Sequence, residues 1–209
     1  FMLLDPYSTF AMVRNNIDFL ERFVGDGWAV ASFCRMLPYS GTPIKEKLVT
    51  EGRLLGTPFE PDYRFLDPRL DVFYEWILRT FHERNFTNRG LCHVLKSLLF
   101  EARLQLPAYQ YFEDHERAYV THLTSICNGI ATYALRSAVD YLESAPLDVL
   151  KSDGSFLENL TRHEQAEEER LLNQVVEFYW TMRERRRRLG QQSIPAIGGF
   201  ENSWTAAPA

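Results

Sequence analysis

The stretch Pro38-Tyr39-Ser40-Gly41-Thr42-Pro43-Ile44 constrains the fold of this chain more than any other. It follows an apolar run, Ala29-Val30-Ala31-Ser32-Phe33-Cys34, and residues 28–37 read as a strand. Pro38, Gly41 and Pro43 then force the backbone out of the sheet. Thr42 suits an N-cap, Pro43 the first helical position and Gly52 the end of the helix. A strand, a Pro/Gly loop and a helix in this order is how an α/β barrel presents main-chain groups to a small ligand at the strand's carboxyl end. Residues 35–41 are therefore a candidate site.

Upstream, Phe10, Val13, Ile17, Leu20 and Val24 fall on one helical stripe, capped by Ser8 or Thr9 and stopped by Gly25-Asp26-Gly27. The apolar opening Phe1-Met2-Leu3-Leu4 turns at Asp5-Pro6 before that helix. The chain thus begins with two βα units in succession.

The spelling of these two units resembles radical S-adenosylmethionine (radical SAM) proteins. Pro-Tyr-Ser-Gly-Thr-Pro-Ile, followed by Leu48 and Glu51-Gly52-Arg53-Leu54, is similar to the sixth-strand region of that family. The match is closest to the cobalamin-associated branch. Phe1-Met2-Leu3-Leu4-Asp5-Pro6-Tyr7-Ser8-Thr9 is similar to the fifth strand. Aligned on Pro6, the family's adenine-contacting Ile falls on Met2, its second Gly on Leu4, its Glu on Ser8 and its Thr on Thr9. Asp5 is the one acid nearby that can replace the lost Glu; the bland reading makes Asp5-Pro6 a turn and helix-entry device. The resemblance implies S-adenosylmethionine, a 4Fe–4S cluster and, in this branch, cobalamin as cofactors. It places Met2, Asp5, Arg35, Met36, Leu37, Pro38, Tyr39 and Gly41 beside the adenosine, with loop amide and carbonyl groups on the adenine edge. Arg35 reads equally as a partner for a cofactor carboxylate or for a structural Asp.

The cluster-binding Cys-x3-Cys-x2-Cys loop is absent. Only Cys34, Cys92 and Cys127 occur, and no pair has an iron–sulfur or zinc spacing. The expectation is a C-terminal portion whose partner is the missing N-terminal part of the same protein. Residues 1–66 would be the last βα units of a partial (β/α) barrel, 67–189 a helical domain, and 190–209 an extended or disordered tail. The fold class is α/β followed by all-α.

Downstream of residue 37 no strand signal appears, and Arg53 to Leu66 reads as an extended loop. Asp67-Pro68 opens a helix lined by Leu70, Phe73, Ile77 and Phe81. A second covers 88–105, and a third runs from after Pro107 to Ser144. The stripe of the third is Phe112, Tyr119, Leu123, Ile126, Ile130, Ala134, Ala138 and Leu142, with Gly129 at a candidate close crossing. Pro146 to Gly154 reads as a turn and Ser155 to Leu189 as the last helix. Glu164, Glu167, Glu168 and Glu169 look like a solvated face, so His163 and Glu167 do not make a metal site. Arg183 and Arg185 to Arg188 complement the dipole at that helix's end.

The 209 residues are 45% hydrophobic and 14% aromatic, enough for a real core. A net charge of −5 argues against general nucleic-acid binding. No run approaches the roughly 20 apolar residues of a membrane span. Irregular, unpaired cysteines suit a reducing, cytoplasmic compartment. The functional expectation is the C-terminal region of a radical SAM enzyme acting on a small-molecule or peptide substrate, with methyl transfer as the cobalamin-dependent step. The alternative is a helical interaction module that binds a peptide or partner subunit without catalysis. A barrel that has lost its chemistry is a third reading.

Overall fold

The computed structural model describes residues 2–104 and 112–188. The elements run β1 (Met2–Leu4), α1 (Phe10–Val24), β2 (Phe33–Arg35), α2 (Pro43–Thr50), β3 (Leu54–Gly56), β4 (Pro61–Tyr63), α3 (Pro68–Phe86), α4 (Leu91–Arg103), α5 (Asp114–Ser144), α6 (Leu147–Ser152) and α7 (Ser155–Arg188). The architecture is α/β at the start and all-helical afterwards. Three expectations need correction. The strand is three residues rather than ten. Residues 54–63 form an antiparallel hairpin, not an extended loop. The turn after Pro146 contains helix α6. The expected tail, 190–209, lies outside the described residues. No helix among the described residues is long and apolar enough to cross a membrane.

β1 and β2 pair in parallel, with Met2 opposite Phe33, Leu3 opposite Cys34 and Leu4 opposite Arg35. Parallel pairing needs a crossover, and α1 supplies it. Thr9 caps α1 by accepting from the Met12 N–H at 3.3 Å. The stripe Phe10, Val13, Ile17, Leu20 and Val24 is buried. Alternation then sends Met2, Leu4 and Phe33 into the core and leaves Leu3 46% exposed on the other face.

Helix α5 is the axis of the molecule, packing against α1, α4, α7 and α3. Ala131, Ala134 and Ala138 let its neighbours approach closely. Gly129 is not at a crossing, since a side chain there would meet open space. The close approach is made by Gly27, whose φ of +81° places the turn after α1 directly on the α5 backbone; a Cβ there would sit 1.9 Å from the Thr121 carbonyl oxygen. One side chain of α5 organises that turn. Asn128 accepts from the Ala31 N–H at 2.7 Å and donates to the Val24 and Ala29 carbonyls at 2.6 and 2.8 Å. Ser125 adds a bond to the Gly25 carbonyl. The lead-in to β2 is thus aligned from behind by a helix nearly a hundred residues away in sequence.

The core has two apolar clusters. One gathers β1, β2, α1, β4, α3, the C-terminal half of α5 and the start of α7. The other gathers α4, the N-terminal half of α5 and the later part of α7. The first spans residue 66 without interruption, because Tyr63 and Phe65 pack with α1, α3 and β1. Between the clusters lies a polar layer around Arg84, which is fully buried. Its Nε is 2.9 Å from Glu168 Oε1. Nη1 reaches the Asn85 side chain at 2.8 Å, and Nη2 lies 3.3 Å from Cys127 Sγ. Glu164, one turn before Glu168, is 1% exposed. The glutamates expected on a solvated face therefore divide: Glu164 and Glu168 point into the core and Glu169 outward.

Removing one partner of a buried ion pair strands the other charge, which typically costs about 3–5 kcal/mol. Arg84→Met should lose stability on that scale in denaturant unfolding, whereas Arg84→Met combined with Glu164→Leu and Glu168→Met should recover most of it. Gly27→Ala should lower Tm sharply while Gly129→Ala leaves it level or raises it, since only the first meets backbone and requires positive φ.

Candidate functional site

The candidate site is the carboxyl end of the β1–β2 pair. The Met36 N–H donates to the Leu4 carbonyl at 2.9 Å, extending the ladder into the loop. Pro38 is buried, whereas Leu37, Tyr39, Ser40 and Gly41 are exposed. Tyr39 donates to the Leu37 carbonyl, and its own carbonyl accepts the Thr42 hydroxyl at 2.7 Å. Gly41 has φ +80° with open space where a Cβ would stand, so glycine is required by conformation and not by crowding.

Two arginines hold this end in place. Arg35 is stacked over Tyr63 at 3.7 Å, with Phe65 and Tyr74 further round at 4.7 and 4.8 Å. It pairs with Asp62 and donates to the Tyr63 carbonyl. Tyr63 in turn donates its hydroxyl to the Leu4 carbonyl at 2.8 Å, and burial raises its phenol well above the ordinary value. Arg53 donates to the Pro6 and Arg64 carbonyls at 2.9 and 2.7 Å. It also pairs with Glu51, whose carboxyl it holds below the usual range, and Glu51 accepts from the Tyr7 hydroxyl at 3.1 Å. The hairpin and the end of α2 thereby brace both turns.

Of the residues singled out from the sequence, Asp5, Met36, Leu37, Pro38, Tyr39 and Gly41 belong to these two turns. Met2 is different: it is 1% exposed within the core, and Leu3 takes the uncovered face. Asp5 acts as a turn device, its Oδ1 accepting the Tyr7 N–H at 2.7 Å while its N–H donates to Ser8 Oγ at 3.0 Å. Arg35 has found structural acids rather than standing free. Cys34 is half-buried on the face shared with Leu3.

A second constellation was missed. Cys92 on α4 and Cys127 on α5 are both buried beside Arg84, where each thiol acts on the other. The Cys92 thiol also contacts Asn85 Oδ1 at 3.3 Å. The interaction with Cys127, reinforced by Arg84, draws Cys92 down to about 7, while the same interaction and burial push Cys127 up. Burial pushes Glu164 up to about 7 and Glu168 up to about 9, against the pull of Arg84. The two carboxyls face one guanidinium and titrate as a pair, keeping a proton at neutral pH. The signal was present: Leu157, Thr161, Glu164, Glu168, Leu171 and Val175 follow one 4-3-4-3-4 stripe.

A carboxyl whose folded pKa is raised is proton-loaded when folded and ionised when unfolded, so raising pH above the unfolded value favours unfolding. Tm should therefore fall from pH 5 to pH 7. Above that, ionisation of Cys92 works in the opposite direction. Glu164→Gln should flatten the fall between pH 5 and 7 in thermal melts. At the loop, Gly41→Ala should cost about 1–2 kcal/mol from left-handed strain, with Gly41→Asn costing less in the same denaturant titration.

Comparison with known proteins adds nothing to this geometry: no family model, curated protein or solved structure matches the chain.

Proposed function

We propose that this chain is the C-terminal part of a radical SAM enzyme, in which the loop at Met36–Gly41 helps to seat the adenosine of S-adenosylmethionine. The observation that carries the reading is the unfinished state of the β1–β2 pair. Parallel sheets are covered on both faces, and a two-stranded sheet is marginal alone. Here Leu3 is left uncovered opposite the core, and no third strand joins the pair among the described residues. Further parallel strands of a barrel would cover that face and set the two turns at its rim.

The adenosine fits the residues present. Among the described residues, the N–H groups of Leu37, Ser40 and Gly41 donate to no acceptor. Leu37 and Tyr39, 48% and 64% exposed, offer apolar cover for a ring. The cluster does not fit. Cys92 and Cys127 are buried between helices, Cys34 is on β2, and no three ligating side chains converge among the described residues. Cluster ligands would come from elsewhere in the parent protein, and no step of the radical chemistry is assigned to this chain. Cobalamin enters only through the resemblance of the loop. In this reading the chain's own work is to orient the cofactor with main-chain groups and to close one side of the barrel.

The test uses the longer parent protein, reconstituted anaerobically with iron and sulfide and assayed for 5′-deoxyadenosine with S-adenosylmethionine and a reductant. About four irons per chain with product formation is the expected result. Tyr39→Ala and Gly41→Pro should then raise KM for S-adenosylmethionine more than they lower kcat. A parent without a cluster, or with a cluster and no 5′-deoxyadenosine, overturns the proposal and leaves a helical binding module as the better account.

A further inference from the structure

At the opposite end of β2 from the loop, a cavity of about 510 Å³ opens between the end of α1, residues 28–32 and α4. Its walls are apolar, and three of its aromatics are in contact with water: Phe23 at 67% exposed, Trp28 at 63% and Phe100 at 46%. Among the described residues, Lys96 and Arg103 are the only charged side chains lining it. In a chain of net charge −5, the described lining of this concavity carries two cations and no acid. Neither cation is in ion-pair contact with a carboxylate of the described residues. Arg103 is held in place without one: its guanidinium stacks 4.2 Å over the Trp28 ring and donates to the Trp28 and Gly27 carbonyls. Burial lowers its pKa, and Asp26 is the one acid that acts back on it.

Trp28, Leu99 and Arg103 also line a second cavity, of about 700 Å³, on the side facing α5. That lobe is more polar, with Arg117 and Thr121 on its wall and Asp114 as its one acid. The two lobes meet at Arg103. The cavity volumes lie in the range of small-molecule sites, whose usual make-up is an apolar wall with a few fixed polar groups.

We infer that this is a binding site for an anionic amphiphile, with the apolar body in the lobe between α1 and α4 and the oxyanion head on Arg103 between Lys96 and Arg117. The stacking of Arg103 on Trp28 presents its charge at the junction without a carboxylate counter-ion in direct contact. A bound carboxylate or phosphate would supply one, while the apolar chain covers Phe23, Trp28 and Phe100. The site is separate from the loop at Met36–Gly41 and does not depend on the radical SAM reading.

The probe is decanoate, titrated calorimetrically into the 209-residue chain, with decanol and decyltrimethylammonium as matched controls. One saturable decanoate site is expected, with decanol weaker by about tenfold or more, the scale of one charge-assisted hydrogen bond. Lys96→Gln should weaken decanoate without moving Tm, because Lys96 is exposed. Arg103→Gln should weaken it further. Ala29→Phe should abolish binding by filling the apolar lobe, since the exposed Ala29 side chain is a lining group and only its carbonyl is engaged. Decanol or the cationic detergent binding as tightly as decanoate overturns the inference. So does decanoate binding that is absent in the parent chain or unchanged in Ala29→Phe.

Discussion

Arg84 is the constraint on which the rest of this structure depends. A guanidinium cannot be neutralised in a protein, so burying one obliges the surrounding elements to supply carbonyls and a carboxylate. Here they come from four places: Ala31 before β2, Asn85 on α3, Cys127 on α5 and Glu168 on α7. The apolar clusters on either side are non-directional and would tolerate sliding of one helix along another. The polar layer does not, because a shift of one turn on α7 would replace Glu168 with Glu164 or Leu172. Its role is registry more than net stability, in keeping with the weak return of buried ion pairs.

The same division explains what the sequence made legible. Helix α1 follows its written stripe because its five buried residues are all apolar, and its ion pairs to α5 through Arg14, Asp18 and Glu21 lie at the partly exposed edge of that face. The long helices were harder. On α5, Tyr119 and Ile126 read as core but are more than a third exposed, whereas Thr124, Asn128 and Thr132 are buried. Asn128 is buried because it satisfies the turn after α1, and Thr124 and Thr132 can be buried because their hydroxyls bond the Val120 and Gly129 carbonyls of their own helix. Periodicity counted on apolar residues alone rotates the helix away from its true face. The two glutamates of α7 were misplaced for the same reason: a carboxylate is normally a surface residue unless paired, and the partner was eighty residues away on another helix.

The site was legible where it is made of backbone. Pro38, Gly41, Thr42 and Pro43 dictate local geometry, and α2 starts where they place it. Arg35 was recognised as needing a partner, but not which, because the Asp62 and Tyr63 that receive it lie on a hairpin whose strands are three residues each. Met2 was assigned by alignment to a motif, and strand alternation sends its side chain into the core. A shift of one residue in such a carry-over exchanges the two faces of a sheet.

The bracing of the two turns by Arg35 and Arg53 has a consequence for molecular recognition. A loop that must be ordered by its ligand loses part of the interaction energy to that ordering, and loses selectivity because it can adapt to several shapes. Here the tie from Tyr63 to Leu4 and those from Arg53 to Pro6 and Arg64 are made before anything binds. A ligand seated against these turns would meet main-chain groups already held in place by the hairpin and α2.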